Sequence, residues 1–545
     1  MERHQIASCR LSSVWGIFGF RHPTQLLLIS LLLLSCTGCT SWRDYVANGF
    51  KVGPSYCTPN ASVNDEWIDM KDPKIGGGAM ENAAWWQSFN DPVLNSLITS
   101  ACQQNLSLRE AGYRIQEARA QRNIVAGKLF PQDQAVSGNY SRNQFSENGP
   151  SSLTPNMIFS DWQLGGNLAW ELDFWGQFRR ALESANATLD ASIDSYDQVL
   201  VLLLGEVAQS YSNVRIAEQR LTYARQNVEI QRGSLGIAED RLRQGTTTRL
   251  DVTQGVSNLE QTEANIRPLE AARRTAINQL CILMGEPPRD LDQWLADHQG
   301  IPKAPRQLAI GIPAELLRRR PDIRKAERDV AAQSAQIGVA TAELYPHFAI
   351  GGTIYLDSMD AKNLFNANSI AGSVGPEFRW NVLNYGRLLN NIRYQEARFR
   401  ELATAYQNIV LQANAEAENA IINFLKAQQQ VESLARSAQA SQESVDLVMK
   451  QYREGIVDFN RVFNVQQSLT QQQDQLAVAE GTVAQYMIQL YRSLGGGWQV
   501  RLDNPDFTST AAPPAPAPTT KPTDAPVPLP PPQSAPMPPT ADEKT

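Results

Sequence analysis

The sequence has no apolar run long enough to cross a bilayer as a helix. The run Leu26–Ser35 (LLLISLLLLS) has ten residues and follows Arg10 and Arg21, whereas a spanning helix needs about 20. A short apolar core behind basic residues is typical of a secretory signal peptide. We therefore predict a signal peptide over residues 1–38 and an exported chain without a helical anchor.

The chain also has little chemistry of the kind that enzymes use. Beyond the predicted signal peptide the histidines are His298 and His347, and neither has a companion at ligand spacing. The sequence contains no P-loop, dinucleotide fingerprint, H-E-x-x-H or G-x-S-x-G motif. Lysine and arginine number 49 against 56 acidic residues, a net charge of -7. We therefore expect no enzyme activity, no cofactor or metal, and no nucleic-acid partner.

Cysteine is scarce, and two of the six cysteines lie just behind the signal core. Cys39 follows two small residues, as in a bacterial lipobox, and Cys36 is the alternative. We predict that one of the two is acylated, with Cys39 favoured; an ordinary cleaved signal with incidental cysteines is the competing interpretation. The three cysteines further on match no zinc or redox spacing, although a single disulfide among them stays open.

Two halves of the chain follow one plan. Trp170–Gly176 (WELDFWG) aligns with Trp380–Gly386 (WNVLNYG) at an offset of 210 residues, and an offset of 215 aligns the LFP ending at Pro131 with the LYP ending at Pro346. Such self-similarity indicates an internal repeat. We predict a lipidated extended segment over 39–89, a first repeat over 90–290, an equatorial linker over 291–312 and a second repeat over 313–497.

Each half contains a heptad pattern of unusual length. Apolar residues recur every seventh position at Ile193, Leu200, Val207, Val214, Leu221, Val228, Leu235 and Leu242, and the residues 210 further on are again apolar. The second set of core positions expected in a coiled coil holds Leu189, Tyr196, Leu203, Ala217, Ala224 and Ala238. A helix over about 175–243 would be about 100 Å long. Gly245 and Gly455 are predicted to end the two long helices at turns.

Four segments alternate with period two. They are Ala135–Ser146, Trp162–Leu172, Phe348–Leu356 and Ile370–Val382. Lengths of about 9 to 13 residues suit tilted strands of an outer-membrane barrel. Because four strands cannot close a barrel and open edges are not tolerated in lipid, several chains must share one barrel unless the strands form soluble hairpins.

The strands are predicted to run almost directly into the long helices. Trp170 and Trp175 would be interface anchors, and Gly176 would be the small residue at the junction between barrel and helix. Trp380 and Gly386 would mark the same junction in the second half. At the other extreme of the chain, thirteen of the 31 prolines lie between residues 513 and 539. We predict a disordered, partly polyproline tail over 498–545.

Several motifs together resemble the TolC-like outer-membrane efflux family, in its lipoprotein branch. They are VGPSY (Val52–Tyr56), WWQSFNDPVLNSLI (Trp85–Ile98), LDFWGQFRR (Leu172–Arg180) and RRRPDIRKAE (Arg318–Glu327), and the resemblance covers about residues 50–497. It implies an α+β membrane protein, a homotrimer in which each chain gives four strands to a twelve-stranded outer-membrane β-barrel. A long periplasmic α-helical barrel would continue it.

The resemblance also implies a passive exit channel for drugs or other small solutes. Its partners would be a periplasmic adaptor and an inner-membrane transporter. Two alternatives stay open. The same fold serves type I protein secretion, and a coiled-coil envelope tether without a pore would need no amphipathic strands.

The transporter expected from the resemblance is of the RND type, and it would supply the energy that the channel itself lacks.

The family's gate lies at the periplasmic helix turns, and the resemblance places candidate residues there. Asp251, six residues after Gly245, matches an acidic tip position of the family. The second tip contributes Tyr452, Asp458, Arg461 and Asn464, and the last two stand where the best-known members are acidic.

Two interpretations of Asp251 compete. Thr248-Arg249-Leu250-Asp251 has the form of a capping box, in which Thr248 is the N-cap and Asp251 reaches back to it. Alternatively, Asp251 and Arg461 occupy matching tip positions with opposite charges. We hypothesise that ion pairs between neighbouring hairpins then hold the entrance closed.

Overall fold

The structure is a computed structural model that describes residues 42–76, 83–145, 158–305 and 307–503. The predicted signal peptide, both candidate acylation sites (Cys36 and Cys39) and residues 504–545 of the predicted tail lie outside the described residues.

Helices make up most of the described chain. The α-helices are α1 (Trp42–Ala47), α2 (Pro92–Gln104), α3 (Leu106–Gly127), α4 (Gln177–Arg243), α5 (Arg249–Leu283), α6 (Asp292–Leu295), α7 (Leu316–Arg319), α8 (Pro321–Ala342), α9 (Arg387–Arg453), α10 (Phe459–Ser493) and α11 (Val500–Asp503). Short 3-10 turns cover Trp85–Phe89, Pro313–Glu315, Ala361–Asn363 and Ala367–Ser369.

The strands form two sheets. They are β1 (Ile75–Gly76), β2 (Asp133–Gln144), β3 (Ile158–Leu172), β4 (Leu308–Ala309), β5 (His347–Ser358) and β6 (Ile370–Arg379). The short pair β1 and β4 is parallel, and the other four strands form an antiparallel sheet in the order β2-β3-β5-β6. Each half of the chain therefore contributes one hairpin to the larger sheet.

Corresponding helices of the two halves have equal lengths. The long helices α4 and α9 each have 67 residues, and the return helices α5 and α10 each have 35, with bounds displaced by 210 residues. Helices α3 and α8 each have 22 residues and are displaced by 215. A 67-residue helix is about 100 Å long, which is the length that the heptads predict.

The apolar heptads explain how these helices pack. Helix α4 packs along both α5 and α8, and α9 packs along α10. Leu200, Val207 and Val214 of the heptad series are buried in the main hydrophobic core, which also includes Trp85 and Tyr491 of other elements. This core lies where α2, α4, α5, α8, α9 and the C-terminal half of α10 meet.

The sequence overestimates one strand. The segment Ile370–Val382 was expected to be a single strand, but β6 ends at Arg379. There the Trp380 indole nitrogen donates to the carbonyl oxygen of Leu344 at 3.0 Å, which draws the chain out of the ladder. Tyr385 then takes a positive φ of 50° immediately before the long helix.

The predicted boundary of the tail at residue 498 also differs from the structure. The Trp498 indole donates to the Arg319 carbonyl oxygen at 2.8 Å, and the Arg324 guanidinium lies over the Trp498 ring at 4.3 Å. Arg501 in α11 makes an ion pair with the fully buried Asp197 at 2.6 Å. Residues 498–503 are thus held against the helices by a tryptophan and a buried ion pair.

Candidate functional site

The register of the four-stranded sheet places its apolar residues on one face. Leu164 pairs with Leu356, which pairs with Ile370; one end of the sheet repeats this pattern with Leu172, Phe348 and Phe378. Side chains along a strand alternate between faces, so these even-numbered residues point the same way. The face is open in the single chain: Val136 and Val374 are 85% and 81% exposed.

The opposite face of the sheet is polar. It carries odd-numbered residues of all four strands, and several of them bond across the ladder. Asn167 donates to the Asp133 carboxylate at 3.1 Å, and the hydroxyl oxygens of Thr353 and Ser373 lie 3.1 Å apart. One apolar and one polar face is the pattern of a strand set that separates lipid from water.

Two tryptophans tie the sheet to the helices, at a boundary that we call the seam. The Trp170 indole donates to the Leu129 carbonyl oxygen at 3.3 Å, just as Trp380 donates to Leu344. Leu129 and Leu344 each lie two residues after the end of a 22-residue helix. Trp170 and Trp380 therefore lie at equivalent points of the two halves.

Gly176 and Gly386 lie at the N-termini of the two long helices. Both adopt left-handed backbone conformations, with φ of 80° and 78°. These conformations favour glycine because other residues place a Cβ too close to the backbone. A Cβ at Gly176 would also lie 2.6 Å from Cγ of Lys51, whereas the same atom at Gly386 would meet nothing closer than 3.8 Å.

Lys51 belongs to a strap, residues 42–56, that crosses the seam. The Arg179 guanidinium donates to the carbonyl oxygens of Gly49 and Phe50, at 2.9 and 2.8 Å. The buried Arg180 side chain donates to the Val52 carbonyl oxygen at 3.1 Å. The strap begins three residues after Cys39, so the predicted acylation site precedes a segment held at the seam.

His347, the first residue of β5, lies between two carboxylates at the seam. Its Nδ1 is 2.6 Å from the Glu171 carboxylate, and its Nε2 is 3.9 Å from the Glu343 carboxylate. Among the described residues, no group of three histidine, cysteine or acidic side chains is arranged to hold a metal ion. His347 therefore joins strand β3 to the end of α8.

The far ends of the long helices are closed by glycine turns. Gly245 and Gly455 have φ of 71° and 79°. The amides of Thr246 and Ile456 donate back to carbonyl oxygens five residues earlier, at 2.9 Å in both turns. This is the hydrogen-bond pattern of a glycine-terminated helix, so both turns begin where the sequence predicts.

Tyr452 is the buried centre of this tip. It is fully buried, and its ring lies 5.6 Å from the Phe459 ring. The Arg241 guanidinium lies over the Tyr452 ring, 4.8 Å from its centroid, so the first long helix contacts the second. Burial raises the pKa of Tyr452, while the nearby Arg241 acts in the opposite direction.

The capping-box interpretation of Asp251 is wrong in its details. Thr248 is the N-cap of α5, but its side chain makes no capping hydrogen bond. The Asp251 carboxylate instead accepts from the hydroxyl of Thr247. The Asp251 amide donates to the Thr248 carbonyl oxygen at 3.2 Å, as in an ordinary first turn.

The remaining tip residues lie at the start of α10. Asp458 is its N-cap and accepts from the Arg461 amide at 3.0 Å. Arg461 and Asn464 are exposed, and within the described part of this chain Arg461 makes no ion pair with Asp251. A pair between Asp251 of one chain and Arg461 of another stays a prediction.

Sequence reasoning missed three residues that organise these regions: Lys51, Arg180 and Arg241. Arg180 is part of the LDFWGQFRR motif, so the motif marked its importance but not its contact. Lys51 and Arg241 contact residues that are 125 or more positions away in the chain, and no local pattern identifies such contacts.

Comparison with known proteins agrees with this arrangement. The sequence model of the family described as "Outer membrane efflux protein" matches residues 97–286 and 312–496. The chain therefore belongs to the outer membrane efflux protein family. Among the described residues, no helix is long and apolar enough to cross a membrane.

The matches to individual relatives extend over nearly the whole length of those proteins. Nodulation protein T of Rhizobium leguminosarum bv. trifolii is 29% identical over 84% of this chain and 97% of its own. The pyoverdine export outer membrane protein OpmQ of Pseudomonas putida is 30% identical over 77% of this chain and 89% of its own. The solved outer-membrane channel OprN has 32% identity and a TM-score of 0.78, with 82% of this chain and 99% of that chain covered.

Proposed function

We propose that this protein is the passive outer-membrane exit channel of a tripartite efflux system. The observation that carries the proposal is the sheet of one apolar and one polar face, joined at the seam to helices about 100 Å long. In a membrane all backbone groups must be paired, so the free edges of β2 and β6 require partner strands. Three chains would supply the twelve strands of a closed barrel.

In the proposed trimer the two structural repeats, 90–290 and 313–497, each contribute one hairpin and one coiled-coil pair. The apolar sheet face contacts lipid and the polar face lines the pore. The lipid-anchored residue, Cys39 or alternatively Cys36, then inserts near the seam, because the strap holds the following residues there. The equatorial linker 291–312 lies between the repeats.

The tip is the proposed gate. The Arg241 and Tyr452 contact joins the two hairpins of one chain at the proposed periplasmic end, and Asp251, Asp458, Arg461 and Asn464 lie where the return helices begin. A periplasmic adaptor and an inner-membrane transporter of the RND type would open this end. Drugs or other small solutes then leave by diffusion through the channel.

Protein secretion through the same fold is the second candidate, because the sheet and helices do not distinguish a small solute from a polypeptide. A coiled-coil tether without a pore has weaker support, since a tether needs no sheet with an apolar and a polar face.

Purified full-length protein in planar bilayers tests the proposal directly. We expect detergent-extracted trimers to insert and conduct ions, and deletion of the gene to increase sensitivity to antibiotics, dyes or metals. Unchanged sensitivity together with loss of a secreted protein would favour secretion. Trimers that insert but never conduct would contradict the channel.

A further inference from the structure

The strap and the start of α4 form an open pocket on the helix side of the seam. The pocket has a volume of about 470 Å³. Lys51 lines it from the strap, and Arg179, Glu183 and Asn186 line it from the first three turns of α4. None of these side chains belongs to the proposed gate, so the pocket calls for a role of its own.

Cationic side chains surround this pocket from three elements. Lys51 comes from the strap and Arg179 from α4. Arg122 of α3 borders the pocket, because its guanidinium donates to the side-chain oxygen of Asn186 at 2.9 Å. The three positive charges therefore converge on one place although they lie far apart in the sequence.

Two carboxylates compensate only part of this charge. Asp173 pairs with Arg179 at 2.8 Å, and Glu183 pairs both with Lys51 at 3.2 Å and with the buried Arg180 at 2.9 Å. Lys51 uses one of its three N–H donors in its bond to Glu183. With the arginine of α3, four cations meet two carboxylates, so the pocket remains positive and keeps donors for an anion.

Aromatic contacts place the strap on the same side of the molecule as the apolar face of the sheet. Within the strap the Tyr45 and Phe50 rings lie 5.6 Å apart, and Tyr45 also contacts Trp175 at 5.7 Å. The neighbouring Phe174 contacts Phe348 of the apolar sheet face at 5.7 Å. Phe50 and Phe174 are each 51% exposed. Exposed aromatic rings are typical of the boundary between lipid and water, and the cationic pocket lies directly beside them.

The pocket would stay accessible in the proposed trimer. Contacts between helices place α3, α4, α8 and α9 side by side in that order, which parallels the strand order of the sheet. A neighbouring subunit would therefore join at the free sides of α3 and α9. Because α4 has α3 on one side and α8 on the other, its strap-covered surface is not an edge of the chain.

We propose that this pocket binds the phosphate of an anionic phospholipid in the periplasmic leaflet of the outer membrane. The inference rests on the proposed channel function, which places the seam at the membrane surface. Lysine and arginine near such a surface attract anionic headgroups, while the exposed aromatic rings beside them contact the acyl chains. The predicted acyl group of Cys39 enters the same leaflet, so the bound lipid and the protein's own acyl group together fix the height of the seam in the bilayer.

The test measures lipid binding to delipidated full-length trimers by native mass spectrometry. The probe is dioleoyl phosphatidylglycerol added in detergent, and dioleoyl phosphatidylcholine, which has no net charge, is the reference lipid. We expect the parent to bind phosphatidylglycerol selectively, and Lys51→Met/Arg122→Gln to bind it at least about tenfold more weakly. Methionine keeps an apolar stem beside Gly176, where the Lys51 side chain lies, so the strap should stay in place.

Two further variants separate loss of the site from loss of the fold. Lys426→Met/Arg109→Gln removes the same charge from two exposed residues outside the pocket, and it should bind phosphatidylglycerol like the parent. Lys51→Arg/Arg122→Lys keeps both charges in the pocket and should also bind like the parent. Weak binding by this charge-conserving variant, with an unchanged circular dichroism spectrum, would overturn the charge-based site.

Inorganic phosphate distinguishes the source of the anion. We expect millimolar phosphate to leave phosphatidylglycerol bound, because the lipid adds apolar contacts with the aromatic rings; displacement of the lipid would overturn the lipid assignment. Equal binding of phosphatidylglycerol by the parent and by Lys51→Met/Arg122→Gln would overturn the site. Conductance of the same preparations in planar bilayers is a separate measurement. A parent that never conducts would overturn the channel function, whereas unselective lipid binding by a conducting parent would overturn the lipid site alone.

Discussion

The indole nitrogen of Trp380 donates a hydrogen bond to the carbonyl oxygen of Leu344, and the two atoms are 3.0 Å apart. In the first half of the chain, Trp170 makes the equivalent bond to Leu129 at 3.3 Å. Each bond joins the end of the second strand of a hairpin to the residues that precede its first strand. The seam is thus fastened in the same way twice in every chain.

Removing these donors should weaken the seam without changing the fold. Trp380→Phe and Trp170→Phe each keep an aromatic ring but leave a carbonyl oxygen without its donor, at a cost of about 0.5 to 1.5 kcal/mol in the free energy of unfolding. The two sites lie in different halves, so their effects should add. Urea unfolding in detergent, followed by circular dichroism, measures the change. A double variant as stable as the parent would contradict the prediction.

Gly176 and Gly386 offer a matched comparison at the starts of the long helices. Alanine at either position must adopt a positive φ, which costs about 1 to 2 kcal/mol. At Gly176 the new Cβ also collides with Lys51, so Gly176→Ala should be the more destabilising substitution and should loosen the strap.

Limited chymotrypsin digestion distinguishes the two effects, because the strap contains Tyr45 and Phe50. We expect cleavage at these residues to be several-fold faster in Gly176→Ala and close to the parent rate in Gly386→Ala. Equal rates in the two variants would show that Lys51 moves aside without cost.

Arg241→Met should make the tip easier to open. Methionine keeps much of the length of arginine but loses the cation over the Tyr452 ring, an interaction worth about 0.5 to 1 kcal/mol. The open-to-closed ratio of reconstituted trimers should rise about two- to fivefold. Arg243→Met is the control, since Arg243 pairs with Asp240 on its own helix and is exposed. Identical open-to-closed ratios in the two variants would show that the Arg241 contact does not help to keep the tip closed.

Periodicity predicted the large elements well. The expected helix over about 175–243 corresponds to Gln177–Arg243, because a seven-residue apolar repeat predicts a long helix that packs along another helix. Strand alternation likewise predicted which residues share a face, since side chains along a strand alternate strictly. Gly245 and Gly455 stand at the turns because their backbone conformations need glycine.

Contacts between distant segments could not be predicted in this way. Beyond helix α1 the strap is irregular, and its position depends on carbonyl oxygens that accept hydrogen bonds from Arg179 and Arg180, about 130 residues away. The hydrogen-bond partner of Asp251 is close in sequence, but the sequence pattern does not identify it. Thr247 and Thr248 are both threonines, and only the backbone conformation decides which of them reaches the carboxylate.

The three cysteines of the described chain should differ sharply in reactivity. Cys57 is exposed, whereas Cys102 and Cys281 are buried, and all three are free thiols. Burial raises the pKa of the Cys102 thiol to about 12, while an unfolded thiol has a pKa of about 8.5. Because alkylation requires the thiolate, iodoacetamide at pH 8 should modify Cys57 and spare Cys102.

The same shift in pKa makes folding depend on alkaline pH. Between about pH 8.5 and 12 the folded protein keeps the Cys102 proton that the unfolded chain releases, so this contribution to stability is present below pH 8.5 and decreases as the pH rises. Mass spectrometry after alkylation at pH 8 checks the reactivity, and Cys57→Ser should abolish rapid labelling of the native protein. Alkylation of Cys102 as fast as that of Cys57 would mean that the α2 core opens readily, contrary to its burial against α4.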